Sequence, residues 1–316
     1  MSAGKNYSFL NGRLWSWVLI FALAGLTPVW GETNLTFPTQ YGEVVHQWDK
    51  ESPNQLFIIG IGHRDTLTRA NADNTSRVQA EVYKIGEWLI HHQEVGLLLP
   101  EGFFKTLATK SDLPAIKTSE KEITCPEPTD MRILEQRLAD TRTFINAEML
   151  LRAHHPVKTA QVEDPALYME VRDGLLKLVN NPGPFCDPLL VTELDYLQEK
   201  RTAAMLQNIP GVIDQEFRKG TIRHRKAIFT IGMAHLRDII RYLDERKITI
   251  HPPTSAPGGE KDYSAELKLQ EDKFGVSIII PSTLAKDQKV LEMNRLDKIV
   301  AESRRQTALH APSPLY

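Results

Sequence analysis

Short apolar runs alternate with amphipathic stretches along this chain, which is the pattern of an α/β protein. The runs Gln55–Gly60, Val95–Leu99 and Lys226–Ile231 are each closed by Gly or Pro, which is typical of buried strands. Between the first two, apolar residues recur at three- and four-residue spacing over Thr75–His91 and indicate an amphipathic helix. Because the crossover in such a βαβ unit carries the chain back, the two strands are predicted to be parallel.

The other elements extend this pattern to most of the chain. Strands are predicted at Gly42–Trp48, Val157–Val162 and Ile248–Ile250, an edge strand at Gly275–Ile280, and helices at Met131–Ala153, Ala166–Val179, Pro188–Gln207, Leu236–Glu245 and Thr283–Ser303. Residues 105–130 are polar and aperiodic and predict a long loop. The turn-rich stretch Pro252–Gly259 predicts a boundary between a domain at 32–252 and a C-terminal extension at 253–316. The expected fold is α/β, with a mostly parallel central sheet, flanking helices, sites at the C-terminal ends of the strands, and a long helical insertion.

The first 31 residues differ from the rest. Lys5 and Arg13 precede the apolar stretch Trp15–Leu26, and Val29 and Gly31 have the spacing of a cleavage site, which predicts a secretory signal peptide. A membrane anchor is the alternative, although the stretch is shorter than the ~20 apolar residues that span a bilayer. Either interpretation predicts an exported protein, periplasmic or extracellular, with membrane contact only through an uncleaved N-terminal segment.

Composition narrows the classes of partner. The chain has 316 residues, of which 41% are hydrophobic and 25% charged, as in an ordinary water-soluble protein. A formal net charge of −2 provides no basic surface for a phosphate backbone, so nucleic acid is not an expected partner. In an exported chain the two cysteines, Cys125 and Cys186, allow one disulfide, and two free thiols are the alternative.

Two predicted strands end in the same signal, Gly-x-x-His, at Gly60–His63 and Gly232–His235. Because parallel strands bring their C-terminal ends to one edge of a sheet, the two histidines are expected to share a site. Glu101 and Glu163 follow two further strands. Imidazole nitrogen and carboxylate oxygen are the ligands of catalytic zinc and manganese sites, whose water has a lowered pKa and attacks carbonyls. A hydrolase without a serine or cysteine nucleophile is therefore predicted, and a structural role for each histidine is the alternative.

Glycines beside these histidines are expected to serve the site in two ways. They allow close backbone approach, and they adopt dihedral angles that other residues avoid.

Several segments together resemble the TraB/PrgY/GumN (Tiki-like) superfamily, which is related to the erythromycin esterase and ChaN proteins. They are Phe57–His63, Val95–Glu101, Val162–Asp164, Glu199–Arg201 and Ile228–His235. The resemblance covers residues 55–250, which is most of the chain after the predicted signal peptide.

The resemblance implies a metal-dependent, peptidase-like hydrolase with a divalent metal (Mn, Co or Zn) and a peptide or small-molecule substrate. By position, His63, His235 and Glu101 would be the metal ligands, and Glu101, Glu163 and Arg201 the catalytic residues. Arg201 would orient the substrate or stabilise an oxyanion, a role that its forked donors suit.

This chain departs from the family after Glu101, where Gly102–Phe104 follow and the arginine common in the family is absent. Two alternatives therefore stay open. One is a non-catalytic protein that binds a peptide or a haem-like ligand in the same cleft. The other is an extracytoplasmic structural protein with a decayed site, whose cleft would be filled.

Overall fold

The computed structural model describes residues 37–62, 74–104, 130–140, 145–180, 188–253 and 262–309. Outside these residues lie the predicted signal peptide, His63, both cysteines and nearly all of the predicted 105–130 loop. What the sequence predicts for them stays a prediction.

The strands in chain order are β1 (Gly42–Trp48), β2 (Asn54–Ile61), β3 (Leu97–Pro100), β4 (Lys158–Thr159), β5 (Lys226–Gly232), β6 (Lys247–Ile250), β7 (Tyr263–Glu266) and β8 (Phe274–Pro281). The main sheet has the order β1-β8-β2-β5-β3-β4. Its neighbours are parallel except for the antiparallel pair of β1 and β8. The prediction of an α/β fold with a mostly parallel central sheet is confirmed.

The helices are α1 (Thr75–Gln93), α2 (Met131–Ala139), α3 (Ala147–His154), α4 (Pro165–Asn180), α5 (Pro188–Arg218), α6 (Met233–Glu245), α7 (Lys268–Glu271), α8 (Ser282–Ala285), α9 (Gln288–Met293) and α10 (Asp297–Leu309). In one group α1 packs against α2, α3 and α8, and in another α5 packs against α4 and α6. Both α1 and α6 also contact the central strands β2 and β5. The predicted flanking helices are therefore present, and none of the described helices has the length and apolar character needed to cross a bilayer.

The core lies along the central strands. Residues Gln55–Ile61 of β2, Ala227–Gly232 of β5 and all eight residues of β8 are buried. A strand that is buried on both faces reads as a continuous apolar run, because side chains of both orientations meet helices or neighbouring elements. This is why short runs of Ile, Leu, Val and Phe mark these strands in the sequence.

The single helix predicted over Met131–Ala153 is wrong, because α2 ends at Ala139 and α3 begins at Ala147. The backbone of Asp140 is extended, and the side chain of Asn146 accepts a hydrogen bond from the Met149 N–H at 2.9 Å. Asp and Asn compete with the helix for backbone groups and so favour its ends. Apolar residues are buried on both sides of this interruption, at Leu134 and Leu138 in α2 and at Leu150 and Leu151 in α3.

The helix predicted over Thr283–Ser303 is also interrupted and forms α8, α9 and α10. Asp287 caps α9 by accepting hydrogen bonds from the backbone N–H groups of Lys289 and Val290. Arg295 adopts a positive φ of 55° before α10, which ends regular helical geometry there. By contrast, α5 is longer than predicted, because it continues past Gln207 and through Pro210 to Arg218.

The C-terminal region differs most from its prediction. The predicted edge strand is β8, which lies between β1 and β2 in the interior of the main sheet. The short strand predicted at Ile248–Ile250 pairs antiparallel with β7 in a separate two-stranded sheet. The described residues from Phe37 onward, β8 included, belong to one compact unit. Residues after 253 therefore supply part of the core.

Candidate functional site

The neighbouring strands β3 and β5 bring two predicted site residues together. They are parallel, with Pro100 opposite Thr230, and the N–H of Glu101 donates to the carbonyl of Thr230 at 2.9 Å. Helix α6 begins at Met233, directly after β5, so that His235 lies in its first turn. Glu101 and His235 therefore occupy the same edge of the sheet, as the sequence predicts for residues at strand ends.

The carboxylate of Glu101 is held on both oxygens. Its Oε2 accepts a hydrogen bond from the Gly232 N–H at 2.7 Å. Its Oε1 lies 2.8 Å from Nη1 of Arg201 and 3.4 Å from Nε2 of His235. The Gly232 N–H is thus part of the site through its backbone, and no side-chain pattern could predict this contact.

Arg201, from α5, bridges the two glutamates that the sequence predicts. Its Nε donates to Oε2 of Glu163 at 3.1 Å, its Nη2 donates to Oε1 of the same residue, and its Nη1 faces Glu101. Glu163 also accepts a hydrogen bond from the Gly102 N–H at 3.0 Å. Side-chain exposure is 6% for Arg201, 6% for Glu101 and 0% for Glu163. The three side chains form a buried ion-pair cluster with two negative charges and one positive charge.

The charge of Arg201 is stabilised despite its burial. Desolvation by burial lowers the pKa of Arg201, but its hydrogen bond to Glu163 and the charges of Glu101 and Glu163 outweigh that effect. The pKa of the guanidinium therefore lies above its usual value. Bidentate pairing with a carboxylate is the geometry that arginine favours.

The imidazole of His235 is held from its other side by Thr202. The Thr202 Oγ1 lies 2.6 Å from Nδ1 of His235 and 2.8 Å from the backbone carbonyl oxygen of Gln198. Thr202 is 0% exposed and His235 is 6% exposed. Thr202 was not predicted as a site residue, because its place directly after Arg201 is the one signal that the sequence offers.

An aromatic pair lies beside the ion-pair cluster. The guanidinium carbon of Arg201 is 5.2 Å from the ring centre of Tyr168, and the ring of Phe104 packs edge-to-face on Tyr168 at 4.8 Å. Both aromatic residues are partly exposed. They were not predicted as site residues, because a partly exposed aromatic residue at a helix or strand end has no distinctive sequence pattern.

The glycines of the two Gly-x-x-His motifs serve close packing and hydrogen bonding. Within the described residues, a positive φ occurs at Gly102 and Gly220 among the glycines and not at Gly60, Gly62 or Gly232. A Cβ built on Gly60 would lie 2.6 Å from Leu236 and 2.8 Å from Met233, both in α6. The expectation of unusual dihedral angles at these motifs is therefore wrong for the described glycines, whereas close approach holds for Gly60.

The described residues of the site offer two donor atoms to a divalent metal. Nε2 of His235 and Oε1 of Glu101 face each other and are a nitrogen and an oxygen ligand of the kind that such metals take. The described part of the chain brings together no three His, Cys, Asp or Glu residues in an arrangement that could hold a metal ion. The third ligand that the resemblance implies, His63, lies outside the described residues, two positions after the end of β2.

Comparison with known proteins adds no relative. No protein-family model, no curated protein and no solved structure matches this chain. The resemblance to the TraB superfamily thus rests on the motifs themselves.

Proposed function

We propose that this protein is an exported hydrolase of the TraB/GumN (Tiki-like) type, peptidase-like and metal-dependent, whose reaction centre is the pair His235 and Glu101. The observation that carries the proposal is the 3.4 Å approach of His235 Nε2 to Glu101 Oε1 at the ends of adjacent strands. An imidazole nitrogen that faces a carboxylate oxygen attracts a positive group between them, either a proton or a metal ion. Such a pair can act as a general base that takes a proton from water, or it can hold a metal ion that lowers the pKa of a bound water.

The chain's own residues would prepare such a reaction. His235 Nε2 and Glu101 Oε1 would hold the metal together with His63, and the metal would lower the pKa of a bound water and polarise the scissile carbonyl. The Gly232 N–H fixes Glu101 and Thr202 fixes His235, which keeps both groups in place before the substrate arrives. Arg201 pairs with both glutamates and offsets part of their negative charge.

The helices between β3 and β5 complete the proposed site. We assign α2 to α5 as the predicted helical insertion, from which α5 contributes Arg201 and Thr202. Tyr168 of α4 and Phe104 present partly exposed aromatic surface next to the charged cluster. This surface supports a peptide or small-molecule substrate with an apolar group near its scissile bond.

Elemental analysis of the signal-free protein tests the metal, and a peptide library read by mass spectrometry tests the reaction. We expect stoichiometric manganese, cobalt or zinc and peptide cleavage, both lost in His63→Ala and His235→Gln. The matched control is His224→Gln, because His224 lies before β5 with a 44% exposed side chain that faces Glu94. A wild-type protein that stays metal-free after reconstitution and cleaves nothing would disprove the proposal.

A non-catalytic binding protein is the second candidate. It is favoured by the bridging of both glutamates by Arg201, since a carboxylate that is paired with a guanidinium is a weaker base and a weaker metal ligand. This candidate predicts that a peptide or haem-like ligand copurifies or binds and is recovered unchanged. Turnover of any bound peptide would exclude it.

A further inference from the structure

Thr202 contacts two polar groups, and together they determine the direction of its hydrogen bonds. The carbonyl oxygen of Gln198, 2.8 Å away, can only accept, so the Thr202 hydroxyl hydrogen points to it. The hydroxyl oxygen then has lone pairs and no hydrogen for the Nδ1 of His235 at 2.6 Å. Nδ1 must therefore carry a hydrogen and donate it.

We propose that Thr202 is a positioning residue that holds a hydrogen on Nδ1 of His235 and so reserves Nε2, which faces Glu101, for a metal ion or for a proton taken up from water. Free imidazole side chains favour a hydrogen on Nε2, which would block that nitrogen as a ligand or a base. The second nitrogen of a functional histidine is commonly fixed by a hydrogen bond of this kind. This inference rests on the proposed function for its consequence in catalysis, but the tautomer itself does not depend on it.

Burial makes the arrangement specific. Thr202 is 0% exposed and His235 6% exposed, so water does not compete freely for Nδ1. A threonine that bonds the carbonyl four residues earlier is by itself an ordinary feature of helices. The same helix provides a comparison, because the Thr192 hydroxyl donates to the Pro188 carbonyl at 2.8 Å in an exposed position with no imidazole in its described hydrogen bonds.

Nitrogen-15 NMR of the full-length protein, labelled at histidine, tests the tautomer. The chain has 10 histidines, and the signals of His235 are those missing in His235→Gln. We expect Nδ1 of His235 to carry a hydrogen in the wild type, in Thr202→Ser and in Thr192→Val, and to lose it in Thr202→Val, where Nε2 alone carries one. A wild-type ring without a hydrogen on Nδ1, or a Thr202→Val ring that keeps that hydrogen, would overturn the proposal.

Kinetics with the cleaved peptide then test the consequence. We expect Thr202→Val to lower kcat by about 10- to 100-fold with little change in KM, as for other groups that orient a ligand, and Thr202→Ser to restore kcat. A loss in KM alone, or no recovery in Thr202→Ser, would contradict a positioning role. Failure of the proposed hydrolase would appear separately, as a wild-type protein without turnover that still shows the Nδ1–H tautomer.

Discussion

The bridge from Arg201 to Glu163 predicts that a single Glu-to-Gln substitution lowers the stability of the fold. In Glu163→Gln, the amide presents N–H groups to a guanidinium that can only donate, and one negative charge is lost from the buried cluster. Arg201 stays paired with Glu101, so the cost comes from guanidinium N–H groups that lose a buried charged acceptor, which is about 1–3 kcal/mol. We expect the free energy of unfolding, measured with urea, to fall by that amount.

The matched control for this substitution is Glu170→Gln, the same change at an exposed position of α4. It should alter stability by less than about 0.5 kcal/mol. If Glu163→Gln were as stable as this control, the contact between Glu163 and Arg201 would not stabilise the fold. The bidentate hydrogen bonds would then make no net contribution to the free energy of unfolding.

Residue-scale contacts also mark the limit of prediction from sequence. Glu101, Glu163 and His235 were identifiable because each follows a strand, and parallel strands gather their ends at one edge. Thr202 and the Gly232 N–H were not, because their roles depend on the rotation of α5 and on a backbone group. Hydrophobic periodicity reports which face of a helix is buried but not which polar group it meets there.

At the scale of elements, the contact between β2 and α6 is set by Gly60. A Cβ at this position would lie 2.6 Å from Leu236 and 2.8 Å from Met233, which flank His235 in α6. Gly60→Ala should therefore push the Leu236 and Met233 side chains aside, at a cost of about 1 kcal/mol for overpacking. Thermal unfolding measures the cost, and the NMR signals of His235 report the displacement.

Gly211→Ala makes the same change where a Cβ has space, since nothing lies within 4 Å of that position in α5. It should stabilise the protein by about 0.5–1 kcal/mol, because alanine loses less backbone entropy than glycine in a helix. Equal stability of the two variants would mean that α6 adapts to a methyl group at Gly60 without cost, and that the glycine is not required for packing.

The elements also differ in how far the sequence determines them. Strands β2 and β5 and helix α1 were predicted to within about two residues at each end, as expected where a pattern is local and strongly periodic. The breaks at Asp140 and Asp287 were missed because an apolar stripe can continue across a capped helix end. The interior position of β8 could not be predicted from the sequence, since strand order depends on contacts between residues far apart in the chain.

At the scale of the whole molecule, the position of β8 predicts that the boundary suggested by the sequence at residue 252 does not separate two folding units. A variant that ends at 252 lacks β8 and leaves both β1 and β2 without a partner on that side. The apolar side chains of β8 are at most 1% exposed, and burial of each contributes about 1.5–3 kcal/mol. They are Phe274, Val276, Ile278, Ile279 and Ile280.

Together these side chains contribute about as much as the entire stability of a typical domain, which is about 5–15 kcal/mol. The variant ending at 252 should therefore show no cooperative unfolding transition by circular dichroism and should bind a hydrophobic dye. A variant ending at 296 is the control, because it keeps β8 and loses only α10 and the residues after it. Among the described residues of α10, Val300 is the buried one. Cooperative folding of the variant ending at 252 would show that the site-bearing strands hold together without β8, and the C-terminal residues would then be an extension after all.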